Sequence, residues 1–116
     1  MKKWAITFYN ERVKKELFSW SDVLRAKLLR LFVLIQQEGA DLGMPLTRSL
    51  GKGLFEIRVK TPQKIGRVFF CYVKRQEITI LHSFIKKTQE TPKKELEIAK
   101  KRLKEVLDNE LSPNSL

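Results

Sequence analysis

Residues 54–60 read LFEIRVK, residues 67–73 read RVFFCYV, and residues 78–85 read ITILHSFI. In the first segment Phe55, Ile57 and Val59 alternate with Glu56, Arg58 and Lys60, the period of two that marks a strand with one apolar and one charged face. The second segment is dense in β-branched and aromatic residues, which suit a pleated surface. The third is apolar on both faces, which predicts a central place in a sheet. Thr61-Pro62-Gln63-Lys64 forms a turn between the first two, and the polar residues 74–77 form another before the third. Three consecutive strands on short turns predict an antiparallel sheet.

The flanking sequence predicts what covers that sheet. Toward the N-terminus, residues 3–8 alternate Trp4, Ile6 and Phe8 with polar or small residues and read as a further short strand. Asn10 is a helix N-cap, followed by Val13, Leu17 and Trp20 at helical spacing. Ser19 or Ser21 caps a second helix whose inner face is Leu24, Leu28, Leu31 and Ile35, widened by Phe32, with Gly39 at the stop position. Residues 40–53, with Gly43, Pro45, Gly51 and Gly53, read as a loop carrying Arg48 and Lys52. Toward the C-terminus, Thr91-Pro92 starts a helix that runs to about residue 108 with Leu96, Ala99, Leu103 and Val106 inward. The order is β-α-α-β-β-β-α. It predicts an α+β domain over residues 1–110, its antiparallel sheet packed against an N-terminal helical hairpin and a C-terminal helix, with residues 111–116 as a frayed tail.

Charge narrows the function. Lys and Arg total 24 against 13 Asp and Glu, a net charge of +11 over 116 residues. Such an excess favours a polyanionic partner, above all nucleic acid. Cys71 is the single cysteine and lies in an apolar run, which predicts a buried, inert thiol and excludes an internal disulfide. One histidine and one cysteine are too few for a zinc site of ordinary composition. There is no paired-carboxylate motif, no Ser-His-Asp pattern and no P-loop. No metal and no cofactor are expected. With no export signal and no strictly apolar run, tyrosine set aside, longer than residues 31–35, the expected location is the cytoplasm, away from membranes.

The cations fall on strands. Arg58 and Lys60 share the charged face of one, Arg67 opens the next, and Lys86 and Lys87 close the last. A positive patch on a sheet rim can cleave RNA through its own 2′-hydroxyl if it stabilises the phosphorane and moves two protons. Arg67 cannot act as a base, but its planar fork suits two phosphate oxygens. A lysine crowded by cations trades a proton more readily, and His82 titrates near neutrality when unburied. Register decides the partner of Arg67. If Val73 pairs with Glu77, Arg67 stands opposite Ser83 on the face of Lys87. A turn of two or four residues sets it opposite Phe84, with His82 and Lys86. Phe69, Phe70 and Tyr72 lie close enough in sequence to stack on a base, Tyr72 being the most open of the three.

Residues 53–59 (GLFEIRV), 66–70 (GRVFF) and 81–92 (LHSFIKKTQETP) closely resemble the phage-derived branch of the HigB/RelE toxins of type II toxin–antitoxin systems. The resemblance covers nearly the whole chain and implies a RelE-like fold. It implies a metal-independent endoribonuclease that cuts mRNA, typically in the ribosomal A site, and a helix-turn-helix antitoxin encoded beside it. By the same resemblance Arg67 contacts the scissile phosphate. Lys86 and Lys87 form the basic pair closing the last strand, with Lys87 the catalytic cation, which favours the register placing Lys87 beside Arg67. By that resemblance Arg58 and Lys60 hold RNA; position and residue type, apart from the resemblance, add Arg48, Lys52 and Tyr72 as expected RNA contacts and His82 as a candidate acid or base. The chain departs from RelE in having no aromatic residue over 88–93 or 111–116. A basic nucleic-acid-binding module without catalysis is the alternative, and would need the patch but no special Arg67. A protein that only binds a partner would tolerate neutralising the patch.

Overall fold

The computed structural model describes residues 4–38, 47–73, 77–86 and 92–111. Five strands and three helices follow in the order β1 (Ala5–Phe8), α1 (Glu11–Phe18), α2 (Asp22–Glu38), β2 (Thr47–Gly51), β3 (Leu54–Lys60), β4 (Ile65–Val73), β5 (Glu77–Lys86) and α3 (Lys93–Leu111). The expected order holds with one addition. Thr47–Gly51, read in sequence as part of a loop, forms an edge strand antiparallel to β3. The hairpin between them turns through Gly51, Lys52 and Gly53, all at positive φ, and the two glycines let the chain adopt at no steric cost what Lys52 adopts under strain at φ 55°.

The sheet order is β1-β5-β4-β3-β2. It is mixed rather than wholly antiparallel, because β1 pairs with β5 in parallel, Ala5 opposite Glu77 through Phe8 opposite Ile80. β5 is central over that stretch, as its two apolar faces predict. Beyond Ile80 it has no further pairing to β1.

Each face of the sheet buries its own core. On one side Val13, Leu17, Trp20, Leu24, Leu28, Phe32 and Ile35 of the α1–α2 hairpin pack on Ile57, Val59, Val68, Phe70, Ile78 and Ile80. On the other, Ala99 and Leu103 of α3, flanked by Leu96 and Val106, pack on Leu54, Phe69, Cys71, Leu81 and Phe84. The 3.6-residue period therefore identified the inner faces of the helices correctly. Asn10 caps α1 by accepting from the Val13 amide at 2.8 Å. Ser21 is the serine that caps α2, accepting from the Leu24 amide at 3.4 Å, while Ser19 closes α1. Gly39 and Thr91 lie outside the described residues. No described helix is long and apolar enough to cross a membrane.

The hairpin sits close to the sheet at one point. A Cβ on Gly66 would come within 2.7 Å of the Trp20 ring, and Trp20 is itself buried. Gly66→Ala is therefore expected to destabilise the fold by about 1–3 kcal/mol, the usual effect of overpacking, read as a fall in the denaturant midpoint. An unchanged midpoint would mean that Trp20 is not seated on β4 as described.

Candidate nucleic-acid interface

A β-bulge determines which side chains meet. Val73 does pair with Glu77 across a three-residue turn, yet Phe69 pairs with His82 while Phe70 pairs with Ile80, so Leu81 is an extra residue on β5. Past the bulge Arg67 stands opposite Phe84, not Ser83. The expectation that a three-residue turn sets Arg67 opposite Ser83 is thus overturned by the extra residue. Lys86, two residues beyond Phe84, shares its face with Arg67 and His82. Lys87 lies outside the described residues.

Directly paired residues on neighbouring strands point to the same side, so the pairings define three rows on the face covered by α3. Arg48, Glu56, Phe69 and His82 form one row across β2 to β5. Arg58, Arg67 and Phe84 form the next, and Lys60, Ile65 and Lys86 the last. The expected cations Arg48, Arg58, Lys60, Arg67 and Lys86 therefore converge on one face. Lys60 and Lys86 are exposed and stand two strands apart, about 10 Å from backbone to backbone. Lys52 does not join them. It sits at the tip of the β2–β3 hairpin, at the opposite end of β3. Tyr72 does not join them either, because it faces the α1–α2 hairpin, with its ring 4.7 Å from Trp4 and 5.3 Å from Phe55.

Arg58 and Arg67 are directly opposed, an arrangement of like charges that is unfavourable by itself. Glu56 resolves it. Its Oε1 accepts from Arg58 Nε at 3.1 Å and its Oε2 from Arg67 Nη1 at 3.2 Å. Glu56 is 1% exposed and Arg67 0%, whereas Arg58 is partly open. One carboxylate is thus shared by two guanidinium groups. The sequence reading placed Glu56 on this face but gave it no role. The signal available was its position two residues before Arg58 on the same strand face.

Beside these rows, along the stretch of β5 that β1 leaves uncovered, α1, β5 and α3 enclose a cleft of about 460 Å³. His82 lies in its wall, stacked 6.4 Å from Phe69 and 6.0 Å from Phe84, ring centre to ring centre. Arg102 Nη1 donates to the Leu81 carbonyl at 2.8 Å and lies 3.5 Å from His82 Nδ1. His82 Nε2 is 3.3 Å from Glu95 Oε2. A guanidinium can only donate, so this network assigns the lone pair to Nδ1 and the proton to Nε2, where it is given to Glu95. Burial lowers the proton affinity of His82, only partly offset by the carboxylates of Glu95 and Glu16. His82 is accordingly neutral at pH 7. Glu16, Glu95 and Arg102 had no place in the sequence reading, because the cleft unites segments far apart in the chain. Cys71 has its thiol pushed up to about 11 by burial, so it is no nucleophile at neutral pH.

Comparison with known proteins follows the same outline. Residues 15–104 match the family described as Phage derived protein Gp49-like (DUF891). Among solved structures, the chain is similar to a double mutant of the E. coli toxin RelE in the free state, with a TM-score of 0.60 and 13% identity over 91% of this chain and 99% of that one. The archaeal RelE–RelB complex from Pyrococcus horikoshii gives a TM-score of 0.47 and 14% identity over 77% of this chain and 99% of that one. A search of curated protein sequences gave no match. The family match spans most of the chain, so this protein belongs to the phage-derived Gp49-like family, on a fold similar to that of toxin RelE.

Proposed function

We propose that this protein is the toxin of a toxin–antitoxin pair, an endoribonuclease that cleaves mRNA on the ribosome and is neutralised by a helix-turn-helix antitoxin. The observation that carries the reading is the convergence of Arg48, Arg58, Lys60, Arg67 and Lys86 on the α3 face of a RelE-like sheet. The sequence resemblance supports the mRNA, the ribosomal A site and the antitoxin.

In the reaction proposed, the 2′-oxygen of RNA attacks the adjacent phosphorus and the 5′-oxygen leaves, so no metal or cofactor is required. Exposed Lys60 and Lys86 bracket the phosphate backbone. The Glu56 carboxylate fixes the guanidinium groups of Arg58 and Arg67 on this face, and a guanidinium fork is suited to phosphodiester oxygens. As the phosphorane gains charge, the fixed cations stabilise it more than they stabilise the ground state. Lys86, on the face of Arg67, is the candidate for proton transfer, with His82 and Lys87 as the other groups for that role. The complete burial of Arg67 favours the non-catalytic alternative, a basic RNA-binding module, because it obliges Arg67 to exchange a Glu56 oxygen for a phosphate oxygen before it can act.

Expressing the chain alone in bacteria is expected to arrest growth and to generate new transcript 5′ ends inside reading frames. Intact mRNA with normal protein synthesis would sink the nuclease reading.

Exposed cations separate chemistry from affinity without disturbing the fold. Lys86→Ala is expected to lower cleavage at saturating ribosome by about a hundredfold, the scale of one lost transition-state cation. Lys60→Ala should weaken RNA affinity by an amount that shrinks as salt rises. Equal, salt-dependent losses for both would reduce Lys86 to a backbone contact.

For Arg67, alanine is the wrong probe. It strips a buried cation from Glu56, a change of the kind that costs about 3–5 kcal/mol when a buried pair is broken. Arg67→Lys keeps the charge and loses the planar fork. Cleavage should fall about a hundredfold with the circular dichroism spectrum unchanged, and full activity in that variant would remove Arg67 from the chemistry.

A further inference from the structure

The cleft between α1, β5 and α3 has polar groups beyond those its own network uses. Arg12 and Glu16 are exposed on α1, four residues apart and so on one helix face. Across from them stand Glu95 and Arg102 on α3. The Ser83 hydroxyl, 3% exposed and in the cleft wall, has no hydrogen-bond partner among the described residues. Val13 and Phe84 supply apolar walls, and the volume is that of a small-molecule site.

We infer that this cleft binds a guanine base. A carboxylate is best met by two adjacent donors and a guanidinium by two adjacent acceptors. Guanine alone among the four RNA bases carries both pairs, N1–H with N2–H on its Watson–Crick edge and O6 with N7 on its Hoogsteen edge. Glu16 takes the donor pair and Arg12 the acceptor pair. Adenine and cytosine offer a donor beside an acceptor on the edge a carboxylate would read, and uracil offers one donor between two acceptors. Phe84 lies two residues, about 7 Å, from Lys86 along β5, so a nucleotide seated here has the cationic rows next to its phosphate. The inference deepens the RNA reading by naming the base that would enter beside the cations.

The test is a titration of the full chain with 5′-GMP, 5′-AMP, 5′-CMP and 5′-UMP, following the ring protons of His82, the single histidine. GMP should shift them saturably, with an affinity about tenfold or more above the other three, the lower range of what a two-bond contact contributes to base discrimination. Glu16→Gln and Arg12→Gln, both on the exposed side of α1, should each lower GMP affinity by about tenfold. No saturable shift, equal affinity for all four nucleotides (phosphate held by the cations alone), or GMP binding untouched by Glu16→Gln would overturn the assignment. The two readings fail separately. Growth arrest and mRNA cleavage without GMP selectivity overturns the cleft alone, whereas selective GMP binding with intact mRNA overturns the nuclease alone.

Discussion

Between Phe69 and Phe70 the ladder joining β4 to β5 slips by one residue, and the face of the sheet beneath α3 depends on that slip. Side chains alternate along a strand, so without the extra Leu81 every residue of β5 after the bulge would point to the opposite side. His82, Phe84 and Lys86 would then face the α1–α2 hairpin, and Ser83 and Ile85 would face α3. The bulge instead sets Phe84 against Arg67, His82 against Phe69 and Lys86 beside Ile65. It also lies where β1 stops pairing, so the strand that turns its side chains over is the strand whose edge is left open for a cleft.

Glu56 works within that register. A guanidinium cannot shed its proton, so a buried arginine must be matched by an anion or exposed to water. Two arginines opposed on adjacent strands make the demand sharper. By dividing its two oxygens between Arg58 and Arg67, Glu56 fixes both guanidinium groups. The same carboxylate thus serves stability and the electrostatic character of the surface. Its removal takes a counter-charge from two cations at once, not merely a hydrogen bond.

The sequence made the layers visible and the register only in part. Helical faces such as Leu24, Leu28 and Ile35, or Leu96, Ala99 and Leu103, follow from a period that burial enforces over many residues. The face shared by Glu56, Arg58 and Lys60 was readable for the same reason, since β3 is apolar on one side only. β5 is apolar on both sides, so its pattern is silent about which residues face which layer, and a bulge inside it leaves no trace in hydrophobicity. β2 was hidden because a short edge strand between glycine-rich turns has loop composition. The burial of Arg67 could not be inferred from an arginine at the head of a strand, where water is the usual neighbour. Glu95 and Arg102 reach His82 through tertiary packing alone, and no local spacing announces it.

The parallel pairing of β1 with β5 also bears on how the chain acquires its shape. Thr7 and Thr79, whose hydroxyls meet at 3.1 Å, are 72 residues apart in sequence. At translation rates of about 5–20 residues per second, β1 waits roughly 4–14 s for its partner to be made. During that time α1 and α2 can form, but their apolar faces have no sheet to cover, and the β2–β4 hairpins lack the strand that separates them from β1. Contacts of such long separation form late and slow the folding of sheet proteins. The cationic face therefore comes into being only once β5 has been made and inserts between two edges already present. A nascent chain interrupted before residue 77 holds four of the five described strands and lacks the one that joins β1 to the rest.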